Sequence, residues 1–111
     1  MVNFFLEEKT LKANNKNFKY IEKGQGNLVL LVHGWPESCH SWLNQIFFIS
    51  NLGFKVVAIN VRGYAGSFSP RSIQSYKLKF FIEDIIDIIN YFKRENAILI
   101  GHDWGAPICW T

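Results

Sequence analysis

The sequence predicts an α/β domain, a mostly parallel sheet with helices on both faces. Three observations carry this reading. Residues 28–32 (LVLLV), 55–59 (KVVAI) and 97–100 (AILI) are apolar on both faces, as strands buried between two helical layers are. Stretches of helical periodicity alternate with them, so successive strands are joined by crossovers that lay helices across the sheet. The last run passes directly into Gly101-His102-Asp103-Trp104-Gly105 and then into residues suited to starting a helix.

The 111 residues suffice for one domain with its own core. With 49% hydrophobic and 19% charged residues the chain is of globular type, and its net charge of +3 arises from basic residues interleaved with acids. That pattern lacks the basic stripe of a nucleic-acid binder. No apolar run approaches the ~20 residues of a membrane span. Acids appear by Glu7 and Glu8, too early for a secretion signal, so a cytoplasmic location is expected. The two cysteines, Cys39 and Cys109, are then most simply free thiols, Cys109 serving as a small packing residue.

Residues 4–12 and 17–22 predict two strands of an edge hairpin, with Asn14-Asn15 as the turn and residues 24–26 (GQG) closing the pair. The buried strand 28–32 runs into residues 33–38 (HGWPES). Over 40–51, Trp42, Ile46 and Ile49 recur at helical spacing, and Gly53 supplies the stop. The strand 55–59 is followed by a loop at 60–70 (NVRGYAGSFSP). The clearest helix spans 78–94, with Leu78, Phe81, Ile82, Ile85, Ile89 and Phe92 on one face and Glu83, Asp87, Asn90 and Arg94 on the other. The strand 97–100 then precedes a sharp turn. Loops with chemistry in such sheets lie beyond the carboxyl ends of the strands, where 33–38 and 101–105 can meet.

The turn after residue 100 has a chemical logic. A residue held at a tight strand-to-helix turn needs slim neighbours two places before and after it, and Gly101 and Gly105 supply them. Asp103 then projects into open space beside the positive end of the next helix, which keeps a carboxylate ionised. A carboxylate with a pKa near ~4 is already charged at neutral pH and needs no base to become a nucleophile. Its attack on a saturated carbon gives an alkyl ester of the protein. Asp103 could equally be a plain helix cap, and a GxDxG pattern arises by chance roughly three times in a hundred chains of this length.

Three motifs stand in order: residues 33–38 (HGWPES), 62–67 (RGYAGS) and 101–107 (GHDWGAP). Together the sequence resembles the α/β-hydrolase fold and, within it, the epoxide hydrolases, with haloalkane dehalogenases as near relatives. The resemblance implies that Asp103 is the nucleophile and that the backbone N–H groups of Trp104 and Trp35 form the oxyanion hole. It implies that Pro36 holds Trp35 in place, that His33 and Gly34 shape the same turn, and that Gly101, His102 and Gly105 shape the elbow. His102 should point to the face opposite Asp103, and His40 should be a surface residue at a helix start. An aromatic residue at position 35 favours the epoxide branch, because dehalogenases usually carry Asn there. Asn60 and Ala65 depart from the usual Asp and Gly of the family and are read as tolerable loop changes.

The implied substrate is a small-molecule epoxide, or an alkyl halide in the alternative, with no metal and no organic cofactor. In this family the catalytic acid, the water-activating histidine and the lid tyrosines follow the nucleophile, whereas this sequence ends eight residues after Asp103. The expectation is therefore the amino-terminal part, 1–111, of a single hydrolase domain, inactive alone. Strand 97–100 would then be a bare edge, inviting another chain to pair. A non-catalytic chain that pairs through this strand is the remaining alternative.

Overall fold

The computed structural model describes residues 6–33, 42–64, 66–102 and 105–110, excluding the side chains of Ala106, Pro107 and Trp110. Among the described residues five strands form one sheet: β1 (Lys9–Ala13), β2 (Lys16–Lys23), β3 (Asn27–Val32), β4 (Phe54–Ile59) and β5 (Ile98–Gly101). Their order is β1-β2-β4-β3-β5. β1 and β2 run antiparallel, as do β2 and β4, whereas β3 is parallel to both β4 and β5.

The hairpin has the expected turn. Ala13 pairs with Lys16, leaving Asn14 and Asn15 as a two-residue loop with φ of 50° and 62°. Positive φ at both positions matches the right-handed twist of the flanking strands, and asparagine tolerates it better than most residues. β1 is shorter than the predicted 4–12: it begins at Lys9 and extends to Ala13. β1 is the outermost strand, as an edge hairpin requires.

Side chains alternate across the central strands and build two cores. On one face Leu28, Leu30, Val32, Val57 and Ile59 join Leu11, Phe18 and Tyr20 of the hairpin. Helix α2 (Leu78–Tyr91) covers that face through Ile85 and Ile88, and α3 (Gly105–Trp110) adds Ile108. On the other face Val29, Leu31, Val56 and Ala58 pack with Ile21 beneath Ile46 of α1 (Leu43–Ser50). The predicted layering, helices on both faces of a mostly parallel sheet, is the observed one.

The helices are shorter than the periodicity indicates. α1 starts at Leu43, with Trp42 at its N-cap position; Cys39 and His40 lie outside the described residues. α2 stops at Tyr91 rather than residue 94, because Lys93 turns to a φ of 58°. Its buried face is also rotated from the predicted one: Leu78 is 42% exposed, whereas Ile88 and Asp84 are buried. Between β4 and α2 the chain makes a short 3-10 turn at Ile73–Tyr76, for which the sequence carries no periodic signal. β5 begins one residue later than predicted and occupies the opposite end of the strand order from β1. Among the described residues no helix is long and apolar enough to cross a membrane.

Candidate active site

The candidate site lies where β3 and β5 end side by side. Val32 pairs with Gly101, the last residue of β5. His102 continues the ladder by donating its backbone N–H to the Val32 carbonyl at 3.2 Å. The chain then reverses: the Gly105 N–H donates to the His102 carbonyl at 2.9 Å and α3 begins there. His102 and Gly105 thus both lie at the carboxyl ends of two parallel strands.

Gly105 is required by close approach rather than by backbone conformation. A methyl group there would meet the carbonyl oxygens of Val32 and His33, so α3 can start directly on the end of β3 only without a side chain. Gly101 is half-buried at the strand end. The His102 ring stands edge-on to the Trp42 indole, with centroids 6.4 Å apart. Trp42 packs with the α1 core, so His102 lies on the α1 side of the sheet. The Trp42 indole N–H is buried without a hydrogen-bond partner among the described residues.

His33 is almost fully buried. Its Nε2 accepts the Val61 backbone N–H at 3.1 Å, and the ring meets Tyr64 edge-on at 4.5 Å. A ring nitrogen that accepts a hydrogen bond carries no proton, so the geometry assigns a neutral imidazole protonated at Nδ1. Gly34, Trp35, Pro36, Asp103 and Trp104 lie outside the described residues, as does Ala65. The structure accordingly brings together His33, Gly101, His102 and Gly105, which in sequence adjoin the expected nucleophile and oxyanion-hole residues.

The 62–67 motif folds into a braced loop beside His33. Gly63 and Gly66 adopt φ of 90° and 80°. A side chain at Gly63 would strike the Tyr76 ring, which packs directly over it. Ser67 Oγ donates to the Asn60 carbonyl at 2.6 Å and accepts the Lys19 backbone N–H at 3.0 Å, tying the loop to β2. Arg62 is buried. Its Nε and Nη2 bind the two oxygens of Asp84, each at 2.8 Å, and its Nη1 binds the Ser75 carbonyl at 2.7 Å. The guanidinium also faces the Phe68 and Phe80 rings at 5.1 and 5.4 Å. Lys16 bonds to Asp84 and, at 3.0 Å, to Asp87. Burial pushes the Lys16 ammonium toward losing its proton, but the two carboxylates outweigh it and hold the pKa above the ordinary lysine value.

Asp84 is the residue that sequence reasoning missed. A signal for it exists: Asp84 is three residues after Phe81 and four before Ile88, a charge in line with the apolar stripe of α2. A carboxylate so placed is buried only if paired, and the arginine of RGYAGS is the nearest candidate in kind. Among the described residues no group of three or more His, Cys, Asp or Glu could hold a metal ion. Cys109, half-buried against the α2 side core, carries a free thiol whose pKa is pushed up by burial.

Comparison with known proteins agrees with this architecture. A family model described as the alpha/beta hydrolase fold matches residues 27–111. Epoxide hydrolase B of Mycobacterium tuberculosis is 44% identical over 87 residues, which are 78% of this chain and 24% of that protein. Epoxide hydrolase 3 of Xenopus tropicalis is 37% identical over 103 residues, 91% of this chain and 28% of that protein. The crystal structure of an epoxide hydrolase from Vigna radiata superimposes with a TM-score of 0.90 at 37% identity, covering 95% of this chain and 34% of that one. The chain thus spans about a quarter of the length of these curated relatives. By its family model, its sheet and the glycine-built turn at the end of β5, the chain belongs to the α/β hydrolase fold family.

Proposed function

We propose that the chain is part of a hydrolase of the epoxide hydrolase type, with Asp103 as nucleophile. The 111 residues correspond in this reading to a portion of a single hydrolase domain. The observation that carries the proposal is the meeting of β3 and β5. Gly105 lies against the Val32 and His33 carbonyls and His102 bonds to Val32, so the end of β3, the end of β5 and the start of α3 come together at one point. Similarity to the epoxide hydrolases of Mycobacterium tuberculosis and Xenopus tropicalis supports the choice of substrate class.

In the proposed reaction one carboxylate oxygen of Asp103 attacks an epoxide carbon. The carbon–oxygen bond of the ring breaks, and the released alkoxide takes up a proton to leave a hydroxyalkyl ester on Asp103. Water then adds to the ester carbonyl and the acyl carbon–oxygen bond breaks, so the vicinal diol leaves with the ring oxygen and the oxygen that Asp103 contributed, while the carboxylate is restored with one oxygen from water. Charge grows on the carbonyl oxygen during that second step. Two backbone donors, the N–H groups of Trp35 and Trp104, stabilise it by about 3 kcal/mol each in a dry site.

The test sets styrene oxide against 1-bromohexane, with the Asp103→Asn variant beside the parent chain. The expected outcome is one epoxide held covalently per parent chain and none on the variant, with no bromide released from the haloalkane. Bromide release without epoxide loss would instead assign the chain to haloalkane chemistry.

A further inference from the structure

We infer that the short turn at Ile73–Tyr76 and the first turn of α2 form a docking surface for an anionic phospholipid bilayer, whatever reaction Asp103 performs. The charge pattern of this region is one-sided. No acidic residue occurs between Glu37 and Glu83, and the lysines and arginines in that interval are Lys55, Arg62, Arg71, Lys77 and Lys79. Lys55 pairs with Glu22 and Arg62 with Asp84. Arg71, Lys77 and Lys79 are exposed and make no ion pair among the described residues. These three cations flank and separate exposed apolar side chains. Ile73, at 87% exposure, is the most exposed large apolar residue described, and Tyr76 and Leu78 are 37% and 42% exposed.

The turn presents these side chains on a fixed backbone. The Ser75 N–H donates to the Ser72 carbonyl at 3.1 Å, and the Ser75 carbonyl accepts the buried Arg62 Nη1 at 2.7 Å. The Tyr76 hydroxyl donates to the Pro70 carbonyl at 2.7 Å, and its ring lies over Gly63 and beside Phe81. Polar groups facing the protein are thereby satisfied, and Ile73 and Leu78 are left to solvent on a scaffold that needs little ordering to bind. Lys79 extends its ammonium 4.9 Å over the Phe80 ring and makes no pair with Glu83, one helical turn further on. A long cationic side chain that lies along apolar surface can keep its head at the level of lipid phosphates while its stem enters the interface.

The alternation selects the partner. Single aliphatic residues between cations suit a bilayer interface, which takes the apolar groups among acyl chains and the cations at phosphates in the same plane. A protein partner would be met better by one contiguous apolar patch, and a single-stranded nucleic acid by stacking aromatic rings rather than by Ile73 and Leu78. Docking at a surface requires no helix long enough to span it.

The test is cosedimentation of the chain with sucrose-loaded vesicles of phosphatidylcholine alone or of phosphatidylcholine and phosphatidylserine in a three-to-one mixture. Binding is expected to the mixed vesicles and not to phosphatidylcholine alone. Lys77→Gln and Lys79→Gln should each weaken partitioning about five-fold. Ile73→Ser, which changes no charge, should weaken it about five-fold to ten-fold. Two controls separate this face from the rest of the surface. Lys12→Gln removes the same charge from the edge hairpin, and Phe48→Ser removes an exposed apolar group from α1 on the other side of the sheet; both should leave binding nearly unchanged. Equal binding to both kinds of vesicle, no binding to either, or controls as damaging as the three variants would overturn the inference. So would a change of oligomeric state caused by Ile73→Ser without vesicles, which would assign the face to a second copy of the chain.

Discussion

Single residues at the strand ends have sharply defined duties. Gly105 is the clearest, since a methyl group would collide with two carbonyl oxygens of the β3 terminus. Gly105→Ala should destabilise the fold by about 1–3 kcal/mol and displace the start of α3, read as a lowered thermal midpoint. The need for a small residue at 105 was legible in the GxDxG spacing, although the partner that imposes it, the end of β3, appears only once β3 and β5 are neighbours. Glu22 shows a different duty. Burial favours its neutral form, but hydrogen bonds and charge from Lys55 and Lys9 outweigh that and hold its pKa below 4.5. A folded-state pKa depressed in this way adds stability above 4.5 that is lost as pH falls through the folded value. Glu22→Gln should therefore lower the denaturant midpoint at neutral pH and leave it nearly unchanged well below 4.5, where the parent carboxylate is itself protonated.

At the level of elements, α2 illustrates what periodicity conveys and what it omits. Helical spacing located the helix and one apolar face, yet the sheet takes Ile88 and Asp84 into the interior and leaves Leu78 half in solvent. Facing is set by where Arg62 and the hairpin lie, and a one-dimensional pattern cannot contain that. Ile88→Ala should cost about 2–5 kcal/mol, because Ile88 is completely buried between α2 and the sheet. The end of the helix was misplaced for a local reason. Lys93 adopts the left-handed conformation usually filled by glycine after a helix, so the 3.6-residue pattern runs past the true stop. Lys93→Gly should stabilise the chain by about 1 kcal/mol, measurable as a raised urea midpoint.

For the whole molecule, the layering was legible from three apolar runs and their order. The strand order β1-β2-β4-β3-β5 was not, since the antiparallel pairing of β2 with β4 has no mark in either strand's own pattern. The candidate nucleophile stood out because an acid between two glycines at a strand end has a specific chemical use. The ion cluster beneath the site did not, because its members are scattered over positions 16, 62, 84 and 87. The proposed reaction requires that an epoxide esterify Asp103. The most direct measurement is peptide-level mass mapping after incubation with styrene oxide, with and without hydroxylamine, which cleaves esters but not alkylated thiols or imidazoles. The expected result is one added epoxide on Asp103, removed by hydroxylamine and absent in Asp103→Asn. A stable adduct on Cys109 or a histidine, with Asp103 unmodified, would contradict it.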